Sequence, residues 1–114
     1  MSEDEYIAEL EKRWPRQGDA ALQTIGLADE ATRLFPRSPK LWCMRGNLIE
    51  LGPENCRHSL DDALACYKRA IEIDPQFAEA WEEIGYFYHN VLDEEAEAKP
   101  YFREAARLKG YHED

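Results

Sequence analysis

Long apolar runs are missing from this chain. No stretch approaches the roughly 18 consecutive apolar residues of a membrane-spanning helix. Strand patterning is missing too, because no segment alternates β-branched and polar residues over four clean steps. There is no glycine-rich phosphate loop, no Gly-x-Ser-x-Gly elbow and no His-Glu-x-x-His pair, so the familiar signatures of nucleotide binding, serine hydrolysis and zinc proteolysis are absent. Positive charge is scarce: 14 Lys and Arg stand against 24 Asp and Glu, a formal net charge of -10 over 114 residues. A chain of that sign repels phosphate, which argues against nucleic acid and anionic membrane surfaces as partners. Cysteine is sparse and odd in number, with only Cys43, Cys56 and Cys66. Together with an acidic start, MSEDEYIAEL, in place of an apolar signal core, this predicts reduced thiols in the cytoplasm. Cys43 and Cys66 fall in helical patterns and read as small apolar fillers. Cys56 stands in a polar loop near His58, but no second pair at ligand spacing accompanies it, and a structural zinc takes four ligands.

What is present is helical periodicity from end to end. Six helices are predicted. The first carries Tyr6, Ile7, Leu10 and Trp14 on one face behind a Ser2 cap, and Pro15 and Gly18 end it. The second runs from about Asp19 to Phe35, with Leu22, Ile25, Ala28 and Thr32 along one stripe. The third covers Pro39 to Leu51, with Ser38 as cap and Pro39 in the first turn. After the polar loop GPENCRHS, a Ser59–Asp62 capping box opens a fourth helix that ends at Asp74-Pro75. The fifth is expected from Phe77 to Val91. The sixth is expected from Asp93 to Leu108, bent slightly at Pro100 and stopped by Gly110. Short helices joined by tight turns imply antiparallel pairs.

The pairs repeat. Trp42 and Trp81 lie 39 residues apart, as do Gly46 and Gly85, so two first helices carry W-x3-G. In the second helices, Ala63, Tyr67 and Ala70 recur 35 residues later as Ala98, Phe102 and Ala105. The shorter step places four extra residues in the GPENCRHS turn. Ala31 and Pro36 precede Ala70 and Pro75 by 39. A period in this range marks a solenoid. Glycine and alanine at these positions let sister helices approach closely, and Trp42, Trp81, Tyr67 and Phe102 fill the remaining volume.

On these residues the sequence resembles the tetratricopeptide repeat family. Trp81, Ile84, Gly85 and Tyr88 of WEEIGYFY occupy the family's first-helix positions, and Ala63, Tyr67, Ala70 and Pro75 of ALACYKRAIEIDP its second-helix positions. Arg45, Ile49 and Gly110 depart from the pattern. The resemblance implies an all-α fold of antiparallel helix pairs, stacked as a short right-handed superhelix of about three pairs in one domain. Residues 1–36 form a degenerate repeat or cap, 37–75 a repeat with a long internal turn, and 76–114 a further repeat.

The resemblance also implies a function: a non-enzymatic adaptor whose concave groove binds a peptide or protein segment. The residues expected to line that groove are Lys40, Cys43, Asn47 and Glu50 from the middle pair, and Glu79, Glu82, Tyr86, His89 and Asn90 from the last. Glu79 and Glu83 stand where the family's clamp for acidic chaperone tails carries basic residues, so the partner expected here is basic or polar. No catalytic group, metal site or cofactor is expected. His58, His89 and His112 are scattered, and acidic runs such as DEEAEAK read as solvated helix faces with i,i+4 pairs such as Glu9–Arg13. The alternative is a structural, self-assembling protein, with an end-to-end homodimer through an open final helix pair as its simplest form.

Overall fold

The computed structural model describes residues 1–110; residues 111–114, which include His112 and the end of the last expected repeat, lie outside them. The described chain is helical, without a strand. Helix α1 (Glu3–Lys12) opens on a full capping box, in which Ser2 Oγ accepts from the Glu5 N–H and the Glu5 carboxylate accepts from the Ser2 N–H, both at 3.1 Å. Helix α2 (Leu22–Leu34) starts later than its periodicity suggests, because no side chain caps it. The preceding Ala20 N–H is instead held by the Leu51 carbonyl at 2.7 Å. Helix α3 (Pro39–Glu50) has the expected Ser38 cap and a proline in its first turn, and α4 (Leu60–Ile73) has the expected Ser59–Asp62 box.

The fifth helix departs from expectation. Helix α5 covers only Ala78–Tyr86 and passes into a π-helical turn over Phe87–Val91. There the Leu92 N–H reaches back five residues to the Phe87 carbonyl at 3.2 Å. One extra residue has been taken into the turn, and Asp93 then adopts a left-handed backbone with φ 53°. Helix α6 (Glu95–Leu108) consequently begins after Asp93 and runs on through Pro100, and Gly110 at φ 85° follows it.

Two apolar layers hold the helices together. Tyr6, Leu10, Ile25, Ala28, Ala31, Leu41, Met44 and Leu48 join α1, α2 and α3. Cys43, Ile49, Ala63, Cys66, Tyr67, Ala70, Ala80, Ile84 and Phe87 join α3, α4, α5 and the π-turn. Helix α3 thus buries two faces, as the middle first helix of a stack must. The glycines explain the close approach: a β-carbon on Gly46 would lie 2.5 Å from Tyr67 Cε1, and one on Gly85 would lie 2.8 Å from Phe102. The tryptophans do the same job in both copies. Trp42 Nε1 donates to the Pro36 carbonyl at 2.9 Å, and Trp81 Nε1 to the Pro75 carbonyl at 2.8 Å. Each indole therefore clamps its helix to the proline turn that separates it from the preceding pair.

Arg45, a departure from the family pattern, belongs to a network that ties the long loop to the first pair. Its Nε donates to Asp29 Oδ1 at 2.7 Å, its Nη1 lies 2.9 Å from Cys66 Sγ, and its guanidinium sits over the Trp42 ring. The other Asp29 oxygen meets His58 Nε2 at 3.0 Å. His58 is thus engaged with carboxylates, while Cys56 packs beside Gly52. Helix α3 touches both α1 and α5, whereas α2, α4 and α6 are not close neighbours of one another among the described residues. The stack therefore curves with the first helices inside. Its radius of gyration is 14.2 Å and its extents are 44 × 30 × 23 Å. A fully compact domain of this length would have a radius of about 13 Å.

Candidate binding groove

The inner side of α1, α3 and α5 carries a strip of two joined clefts. The first, of about 310 Å³, is lined by Glu11, Trp14, Lys40, Met44, Asn47 and Glu79. The second, of about 340 Å³, is lined by Trp14, Asn47, Glu50, Leu51, Glu83, Tyr86 and Asn90. Trp14 and Asn47 belong to both, so the strip is continuous. The helical spacing of Lys40, Asn47 and Glu50 puts them on one side of α3, and that of Glu79, Glu83 and Tyr86 aligns them on α5.

Six of the nine residues expected from sequence lie on this strip: Lys40, Asn47, Glu50, Glu79, Tyr86 and Asn90. Cys43 does not, which corrects that expectation. It is 0% exposed and packs in the second apolar layer, with burial, Glu79 and Glu83 all pushing its thiol pKa up. Helix α3 is enclosed on two sides, so the width it offers to the groove is narrower than its exposed arc in an isolated pair would be. Glu82 lines neither cleft; its carboxylate pairs with Lys109 beyond α6. His89 is exposed on the π-turn and likewise lines neither cleft. Sequence reasoning missed Glu11, Trp14, Met44 and Leu51 as lining residues, and it took Glu83 only as a clamp position. The available signal was that α1 is itself a first helix, so its inner side faces the same groove.

The electrostatics are dominated by carboxylates. Lys40 Nζ reaches both oxygens of Glu79 at 3.1 and 3.2 Å, a pair between equivalent positions of adjacent first helices. Glu50 meets the hydroxyl of buried Tyr67, and the same hydroxyl lies 2.8 Å from Asn47 Oδ1. A phenol has one proton, so Tyr67 donates to one acceptor at a time; with the Asn47 amide turned, its NH2 donates to the hydroxyl while the hydroxyl donates to Glu50. Burial raises the Glu50 pKa against the opposing effect of that hydrogen bond. Glu83 is pushed up to about 7, first by burial and then by Glu50, Glu79 and Glu82, with Lys40 acting the other way. Near neutral pH the strip therefore holds a carboxylate that lacks enough positive charge around it. Trp14 is half-buried, and Tyr86 is 47% exposed with its ring edge on Phe102 at 5.0 Å.

The arrangement defines a class: a stack of antiparallel helix pairs whose first helices share one inner surface. Residues 58–91, spanning α4, α5 and the π-turn, match the family model described as TPR repeat. The chain is 35% identical over 86 residues to anaphase-promoting complex subunit 3 of Schizosaccharomyces pombe. That alignment covers 75% of this chain and 12% of the relative, so the chain spans a small part of that protein's length. Residues 58–91 thus carry a tetratricopeptide repeat, within a chain that shares that family's architecture of antiparallel helix pairs. No helix among the described residues is long and apolar enough to cross a membrane.

Proposed function

We propose that this chain is a non-enzymatic adaptor that binds a basic or polar peptide segment along the strip between Glu11 and Asn90. The observation that carries the reading is the imbalance of charge there. Glu11, Glu50, Glu79 and Glu83 line the two clefts, Lys40 is the one basic residue among the described lining residues, and Trp14 and Tyr86 add ring surface. A Lys or Arg side chain entering the strip gains a carboxylate and an aromatic face at once. The same charges would repel an acidic tail. Resemblance to a subunit of a multiprotein complex supports protein assembly as the biological setting. Three free cysteines, two of them buried, support placement in the reducing cytoplasm. Residues 1–36, 37–75 and 76–114 would act as three successive units, each contributing its first helix to the binding surface.

Fluorescence anisotropy tests this with labelled Lys/Arg-rich, neutral and Glu-rich peptides of equal length. The basic peptide should bind most tightly, weaken as salt rises, and lose at least tenfold in affinity on Glu79→Lys with Glu83→Lys. Equal binding of all three peptides, or an unaffected double variant, would sink the reading.

A further inference from the structure

The outer side of α6 is chemically unlike the rest of the molecule. In a chain of net charge -10, Lys99 and Arg103 are exposed one turn apart and form no ion pair with any described residue. Between them lies an open depression of about 510 Å³, completed by Phe102 and Ala106, which are half-buried. Within the molecule, the equivalent sides of the earlier second helices are covered: α3 packs on α2, and α5 packs on α4. The same step continued past α6 calls for another first helix.

Helix α1 is the described first helix whose leading side is uncovered. That side is exposed at Asp4, Glu5, Ala8, Glu11 and Lys12, which share one helical face with three acidic residues against one basic. Its charge is opposite to that of the Lys99–Arg103 edge of α6. We infer that the outer face of α6 receives α1 of a second copy, so that copies join head to tail through acidic and basic helix faces. This inference uses surfaces other than the peptide groove, apart from Glu11, which borders both. The contact uses two different surfaces, so it is heterologous and need not close at two copies. It is also predominantly ionic, since Phe102 and Ala106 meet a polar helix face, and an exposed ionic contact weakens strongly as salt rises.

Sedimentation velocity on the whole chain tests it. At low salt the weight-average mass should rise with concentration beyond twice the 13.3 kDa monomer, without a plateau at the dimer. In about 1 M salt, where screening acts within about 3 Å, it should return to the monomer. Lys99→Glu with Arg103→Glu should abolish the rise, and so should Asp4→Lys with Ala8→Lys on the other surface; neither pair alters a residue of the groove. Mixing the two variants should restore assembly, because each supplies the charge the other reversed. Circular dichroism on each variant confirms that it is folded. A wild type that stays monomeric at low salt overturns the inference. So does a plateau at the dimer, or an α1 variant that associates as the wild type does, which would instead indicate a two-fold contact through α6 alone. Restoration on mixing supports it even if one variant is somewhat destabilised.

Discussion

Replacing Gly46 by alanine separates two opposing effects that the structure makes calculable. Alanine in a helix interior is favoured over glycine by roughly 0.5–1 kcal/mol, because the glycine loses more backbone freedom on folding. At Gly46 the new methyl would stand 2.5, 2.9 and 3.0 Å from three ring carbons of Tyr67. Tyr67 cannot swing aside cheaply: its ring is fully buried and its hydroxyl is held at Asn47 and Glu50. Overpacking of this kind typically costs about 1–3 kcal/mol, so the clash wins and the variant should be less stable by about 1–2 kcal/mol. Gly26, in α2, has nothing within 4 Å of its would-be methyl and is exposed. Gly26→Ala should therefore be neutral to stabilising by up to about 1 kcal/mol. Gly85→Ala should fall between them, because Phe102 is half-buried at the end of the stack and has room to shift. Urea titrations of the three variants, read as midpoint shifts at constant slope, give the order directly. If Gly46→Ala stabilises as much as Gly26→Ala does, the close approach of α3 to α4 is not what fixes glycine at that position.

Other consequences follow from the groove and the loop network. Burial and the neighbouring carboxylates push the Glu83 pKa up from the ordinary 4.5 to about 7. Its contribution is therefore fully present below about pH 4.5 and is lost as pH rises toward 7, the folded state being the better proton acceptor in that window. Glu83→Gln should match the wild type in urea midpoint at pH 4 and exceed it at pH 8; a variant that is weaker at pH 8 would contradict the crowding of carboxylates. Asp29→Asn removes the charge that Arg45 and His58 share; the amide oxygen can still accept from Arg45, but the largely covered guanidinium loses its carboxylate. Loss of such a hydrogen-bonded charge should destabilise by about 1–3 kcal/mol, and an unchanged midpoint would mean the loop is anchored by other contacts.

Much of the scaffold was legible because its signals are local or periodic. Ser2, Ser38 and Ser59 cap the helices they precede, and the equal spacing of Trp42–Gly46 and Trp81–Gly85 reports equal packing. The paired indole bonds to Pro36 and Pro75 show why the tryptophans recur with their prolines. What escaped depends on backbone register or on neighbours distant in sequence. Phe87–Val91 reads as ordinary helix because the π-turn keeps helical side-chain chemistry and changes only the hydrogen-bond reach. Cys43 shares the spacing of Lys40 and Asn47, but it is turned into the layer between α3 and α5, a fact set by the adjoining pair. Trp14 looked like core alone; the bend after α1 brings it to the groove as well. Arg45 reads in sequence as a lapse from the repeat pattern, because its partners Asp29 and Cys66 are distant along the chain.

Amide chemical-shift mapping of the isotope-labelled chain, titrated with a Lys/Arg-rich peptide, tests the groove most directly. Shifts should concentrate at Asn47, Glu50, Glu83 and Asn90 and at the Trp14 indole, with the outer sides of α2 and α4 unmoved. Shifts confined to those outer sides, or a stronger response to a Glu-rich peptide than to the basic one, would contradict it.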